Sequence, residues 1–88
     1  MSIEVSVSST PNENALKFSC SKPALESGYK TYNNSEQAAE SAVAVKIFEI
    51  EGVASVFLMP DFITVTKKPE ASWEIVQPAT IEAIKSTL

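Results

Sequence analysis

Histidine and arginine are both absent from the 88 residues. Without an imidazole there is no acid–base group poised near neutral pH and no histidine metal ligand. Without a guanidinium there is no planar fork for phosphate or carboxylate. Cysteine occurs once, as Cys20, which excludes an intrachain disulfide and a thiolate-only metal site within one chain. A lone thiol suits a reducing compartment. The two glycines, Gly28 and Gly52, lie too far apart to form a phosphate-cradling loop. No apolar run approaches the roughly 20 residues of a membrane span. The segment Met1 to Thr10 lacks the basic and long apolar regions of a secretory signal. Seven basic residues, all lysine, face 11 carboxylates, giving a net charge of −4. That balance argues against a nucleic-acid partner, which calls for a cationic surface. The expectation is a soluble, cytoplasmic protein with no membrane and no nucleic-acid partner.

What is present reads as one α+β domain spanning residues 1–88. Its centre is the stretch Glu49 to Lys67. Two runs rich in Val, Ile, Phe and Thr, Val53 to Leu58 and Phe62 to Thr66, flank the turn signal Met59-Pro60-Asp61. This pattern predicts a β-hairpin. Ile63 and Val65 point one way; Phe62, Thr64 and Thr66 point the other. Phe57 fits either face.

Upstream, Ile3, Val5 and Val7 alternate with polar residues, as do Leu16, Phe18 and Cys20. These are two strands, antiparallel through the turn formers Ser9 to Asn14, with both apolar sets on the core side. Tyr29 to Tyr32 is either a short edge strand or an ordered loop. Asn34 or Ser35 caps a helix expected over Glu36 to Glu49, with Ala38, Ala39, Ala42, Val43, Lys46, Ile47 and Ile50 on its apolar side. Gly52 follows as its terminator. Ser72 caps a second helix from Trp73. Its stripe is Trp73, Val76, Thr80, Ile84 and Leu88, with Ile81 on the edge, and a kink or break is expected near Pro78. The order β-β-α-β-β-α predicts a two-layer sandwich, a mostly antiparallel sheet with both helices on one face.

Three blocks of sequence then point to a family. Thr10-Pro11-Asn12-Glu13-Asn14-Ala15-Leu16-Lys17-Phe18 resembles the TPNPNALKF signature of the Nfu/NifU N-terminal domain. Phe48 to Phe57 resembles its second block. Asp61 to Lys67, followed by Trp73 and Pro78, resembles its third. The resemblance runs from about Val5 to Ile84. It implies an accessory role in iron–sulfur cluster assembly or transfer, with a carrier or client protein as partner. In larger Nfu proteins a further domain carries Cys-x-x-Cys and binds a cluster between two subunits. No Cys-x-x-Cys occurs in this sequence, so those ligands have no counterparts here. Iron or an iron–sulfur cluster is expected only through partners, not bound by this chain alone. Glu13 stands where the family often has proline, which implies a less rigid turn.

Site candidates follow from the same residues. Cys20 alternates with Leu16 and Phe18, so it reads as a buried, inert thiol. A [2Fe–2S] cluster takes four protein ligands, and one thiol per chain falls short. Asn12 and Asn14 can offer amides to a partner, although asparagines in turns commonly bond local backbone. Asp61 is a lone turn carboxylate that could serve iron or a basic partner, although a turn residue more commonly bonds its own backbone. Glu36, Glu40, Glu49 and Glu51 flank the first helix, where carboxylates can bind hard cations but are more often a solvated face. Phe62, Thr64 and Thr66 lie on an open sheet face and suit a protein contact. The expected contact set is Asn12, Asn14, Asp61, Phe62, Thr64 and Thr66, with no catalytic residue. An enzyme is not expected, for there is no nucleophile–base pair. The chain is expected to be a monomer or weak dimer. The alternative reading is an interaction module unrelated to clusters, one that accepts a strand at a sheet edge.

Overall fold

The computed structural model describes residues 4–21 and 28–87. Ile3 and Leu88, both placed on apolar faces from the sequence, lie outside the described residues. Five strands form one sheet: β1 (Val5–Ser9), β2 (Ala15–Cys20), β3 (Lys30–Tyr32), β4 (Val53–Leu58) and β5 (Phe62–Lys67). Their order across the sheet is β1-β2-β5-β4-β3, and each described pairing is antiparallel. Three helices complete the fold: α1 (Ser35–Ala38), α2 (Ala42–Phe48) and α3 (Trp73–Thr87). The α+β order expected from the sequence holds. Lys30–Tyr32 settles as an edge strand, and the first helix is split in two.

Register decides the faces. Val5 pairs with Cys20, Val7 with Phe18, Phe18 with Ile63, Leu16 with Val65, Val65 with Val56, and Ile63 with Leu58. Directly opposed residues share a face, so one apolar set crosses four strands. Phe18, Val56, Leu58, Ile63 and Val65 are fully buried on it, against Val43, Ala44 and Ile47 of α2 and Val76, Ala83 and Ile84 of α3. Val5, Val7, Leu16 and Cys20 are only half-buried, because β1 ends the sheet.

The split helix corrects the expected Glu36–Glu49 span. Asn34 caps α1, its side-chain oxygen accepting from the Gln37 N–H at 2.8 Å. The helix stops after one turn, and Ser41 starts a new one. Its backbone is extended (φ −125°, ψ 118°), and its hydroxyl accepts from the Ala44 N–H at 3.3 Å. Serine in an extended conformation is a helix start rather than a helix interior. The restart shifts the helical phase. Ala38, Val43, Ala44 and Ile47 are buried, while Ala39, Ala42 and Lys46 face solvent.

Of the kink or break expected near Pro78, the break is absent: α3 runs unbroken from Trp73 to Thr87. Pro78 is exposed, so the Glu74 carbonyl it leaves without a helical donor lies on the solvent side. Ser72 caps the helix as expected, its Oγ accepting from the Glu74 N–H at 3.2 Å. Thr80 sits in the buried stripe with its hydroxyl donating to the Val76 carbonyl at 2.7 Å, which satisfies it internally.

Candidate protein-docking face

The sheet's second face carries no large buried side chain among the described residues. It is built from Ser6 and Ser8 of β1, Lys17 and Ser19 of β2, Phe62, Thr64 and Thr66 of β5, and Ser55 and Phe57 of β4. Small hydroxyl side chains dominate. One aromatic strip crosses them. Tyr29 lies 5.9 Å from Phe57, and Phe57 lies 6.5 Å from Phe62, centroid to centroid. The Lys17 ammonium sits 4.5 Å over the Phe62 ring, within range of a cation–π contact. Tyr29 is 68% exposed.

Phe62, Thr64 and Thr66 therefore stand where the alternation puts them. Phe57 joins them, since the four-residue register across the hairpin opposes it to Thr64. Tyr29 and Lys17 also belong to the strip. Lys17 was readable from its alternation with Phe18. Tyr29 had no local signal, because its neighbour Phe57 comes from a distant part of the sequence.

Asp61 and the two asparagines mark opposite ends of β5. Asp61 is exposed in the β4–β5 turn, which closes through the Met59 N–H donating to the Phe62 carbonyl at 2.9 Å. The Asp61 backbone carbonyl accepts from the Cys20 N–H at 3.2 Å. Six residues of strand separate it from Asn14, roughly 20 Å at strand rise. The six expected contact residues thus form a stripe along β5 rather than a pocket.

At the far end the Thr10–Ala15 loop is held by its own polar groups. The Thr10 hydroxyl lies within 3.0 Å of the Asn12 and Ala15 carbonyls, and the Asn12 side-chain oxygen accepts from the Asn14 N–H at 2.9 Å. The Asn14 side-chain oxygen accepts from the Lys67 ammonium at 3.0 Å. Lys67 is buried at the end of β5, 6.0 Å from the Trp73 ring centre. Trp73 in turn packs on Phe18 and donates its indole N–H to the Glu13 carbonyl at 3.2 Å. Asn12 and Asn14 spend their oxygens inside the fold. Lys67, one of two adjacent lysines at the strand end, is the loop's anchor. Trp73 is half-buried, as expected of a residue that packs on the core.

Two titratable sites are perturbed away from this stripe. Burial pushes the Cys20 thiol up, and its Sγ lies 3.5 Å from the Phe18 carbonyl. At the β3 corner the Tyr32 hydroxyl donates to Glu40 Oε2 at 2.8 Å, and Lys30 stands 3.5 Å from the same oxygen. Burial first, then Glu40, pushes Tyr32 up to about 12. The Tyr32 hydrogen bond first, then the Lys30 charge, holds Glu40 below its ordinary value. Among the described residues no three of His, Cys, Asp and Glu converge as metal ligands, and no helix is long and apolar enough to cross a membrane.

One face of this α+β sandwich is packed under the helices and the other is presented, with no packed layer over it among the described residues. Residues 5–88 match the family described as "Scaffold protein Nfu/NifU N terminal", and the chain belongs to that family. Among curated proteins it is 43% identical over 74 residues to NifU-like protein 5, mitochondrial, of Arabidopsis thaliana, covering 84% of this chain and 27% of that protein. It is 47% identical over 70 residues to the mitochondrial NFU1 iron-sulfur cluster scaffold homolog of Homo sapiens, covering 78% of this chain and 28% of that protein. The chain thus spans little more than a quarter of these relatives. Among solved structures, a NifU-like protein from Saccharomyces cerevisiae superposes with a TM-score of 0.84 at 28% identity, covering 97% of this chain and 77% of that one. Protein SAV1430 from Staphylococcus aureus superposes with a TM-score of 0.81 at 33% identity, covering 92% and 98%.

Proposed function

We propose that this domain is a non-enzymatic docking module of iron–sulfur cluster assembly, one that holds a cluster carrier or client protein on its open sheet face. The observation that carries the reading is the Tyr29–Phe57–Phe62 strip on a face with no packed layer among the described residues. Aromatic side chains ringed by hydroxyls suit a protein contact: the rings supply buried area, and the hydroxyls adapt to the partner's polar groups. Family membership and the names of the relatives supply the cluster context.

The chain's own residues do not fit a cluster. Cys20 is its one thiol, and it packs beside Phe18 with burial favouring the protonated form. A cluster wants several deprotonated thiolates. In this reading the cluster stays with the partner, and this domain supplies position. Contact centres on Phe62, Thr64 and Thr66, extended by Phe57, Tyr29 and Lys17. Asp61 lies at one end and the Asn12–Asn14 loop at the other.

The test is affinity recovery under anaerobic conditions from the native cell, comparing the wild-type chain with a Phe57→Ser/Phe62→Ser variant. Wild type is expected to recover a cluster-assembly or cluster-containing protein. The variant should lose it while keeping a native circular-dichroism spectrum. Recovery of no such protein, or equal recovery by both chains, overturns the reading.

A further inference from the structure

The two edges of the sheet are built differently. β3 is three residues long and carries Lys30, a charge that discourages another strand. β1 is five residues, Val-Ser-Val-Ser-Ser, with no charge and no proline. The groups it directs away from β2 can be assigned by parity. The Ser21 N–H donates to the Glu4 carbonyl at 2.9 Å, so Glu4 points its backbone toward β2. The register then turns Ser6 and Ser8 toward β2 as well. Val5, Val7 and Ser9 aim their N–H and C=O groups away from the sheet. The β2 side agrees with this assignment: the Cys20 N–H, of opposite parity to Ser21, goes to Asp61 on the β5 side.

We propose that β1 pairs antiparallel with β1 of a second copy of this chain, across a two-fold axis at Val7. Centring there makes the edge self-complementary, as an isologous contact requires. Val7 exchanges both hydrogen bonds with the partner's Val7. Val5 pairs with the partner's Ser9, and Ser9 with the partner's Val5. Six backbone hydrogen bonds close. On the helix side the two Val7 side chains meet, both half-buried in the monomer and in need of cover. On the open side Ser6 meets the partner's Ser8. The nearest charge, Glu4, falls opposite Thr10 of the other copy, so no like charges face each other in this register. A shift of one residue would set Val7 outward-facing groups against the partner's inward-facing ones. The contact is short, so the association is weak. It joins two open faces into one ten-stranded surface, which is independent of what binds that surface.

Sedimentation velocity over a hundredfold range of chain concentration tests the proposal. The expected result is a monomer when dilute and a dimer when concentrated, with amide exchange slowing at Val5, Val7 and Ser9 only in the concentrated sample. Two variants set the register without touching the core, since Ser6 and Ser8 are exposed. Ser6→Lys/Ser8→Glu creates two opposite-charge pairs across the axis and should tighten the dimer roughly three- to tenfold. Ser6→Glu/Ser8→Glu sets like charges opposite and should loosen it by a similar factor. A mass independent of concentration overturns the proposal, as does a dimer that responds to neither variant.

Discussion

Gly52 carries two demands on one residue. Its φ is +101°, in the left-handed region that disfavours side chains, and a Cβ built there would stand 2.7 Å from the Ala71 Cβ. The Ala71 Cβ is tied to its backbone and cannot swing away. Gly28 shares the positive φ, at +74°, but has nothing within 4 Å among the described residues. Gly28→Ala should therefore cost only the backbone term, about 1–2 kcal/mol. Gly52→Ala should add overpacking and cost ~2–4 kcal/mol. Chemical denaturation of the two variants checks the order; equal losses would place the whole effect in the backbone.

The Tyr32–Glu40 contact makes a pH prediction at the same scale. Glu40 has a lowered folded value, so the unfolded chain takes up its proton first. Its stabilisation is present above the ordinary value near 4.5 and is lost as pH falls through the lower folded value. Tyr32 has a raised value. Its stabilisation is full below 10 and is lost as pH rises through about 12. The stability difference between wild type and Tyr32→Phe should be largest on the plateau between these limits and shrink at both ends. Urea unfolding across pH measures it, and a difference flat with pH would remove the ionised partner from the account.

At the scale of elements, three small devices decide where helices and loops begin. Asn34 was legible as a cap, because a side-chain acceptor and Gln37 three residues on are a local pattern. Ser41 was not, because it lies inside an apparently continuous alanine-rich periodicity. Ser41→Ala should cost about 1 kcal/mol and lower the melting temperature by about 4–8 °C. A melting temperature unchanged by the substitution would mean that α1 and α2 can fuse without loss. Pro78 does not break its helix. A proline predicts an interruption on local grounds, yet α3 packs Val76, Thr80, Ala83 and Ile84 on one side and leaves Pro78 on the other. Packing of the stripe outweighs one missing hydrogen bond. The Thr10–Ala15 loop shows the same division. Its turn chemistry was readable, and its anchors, Lys67 and Trp73, come from more than 50 residues away.

At the scale of the whole molecule, the open face is a product of strand order. The sheet sets β5 in the centre, between β2 and β4, and gives both edges to β1 and β3. Central placement makes Ile63 and Val65 the floor of the core. It also puts Phe62, Thr64 and Thr66 in the middle of the presented face, with Phe57 beside them. The function proposed for that face centres on Phe57 and Phe62 of β4 and β5, whereas the dimer proposed for β1 uses that strand's backbone edge. Phenylalanine removal at Phe57 and Phe62 therefore tests the face while leaving the edge intact.

The hairpin Val53 to Lys67, both flanking strands, the Asn34 and Ser72 caps and the two faces of β5 were determined by the sequence itself. Each rests on alternation, capping or turn chemistry within a few residues, and such short-range terms leave a mark on the local pattern. The tertiary structure alone decided the rest. Tyr29 joining Phe57, Lys67 reaching Asn14 and Trp73, β3 becoming an edge, and α3 passing through Pro78 all depend on partners far apart in the chain. Burial against those partners chooses between local alternatives that differ by little on their own.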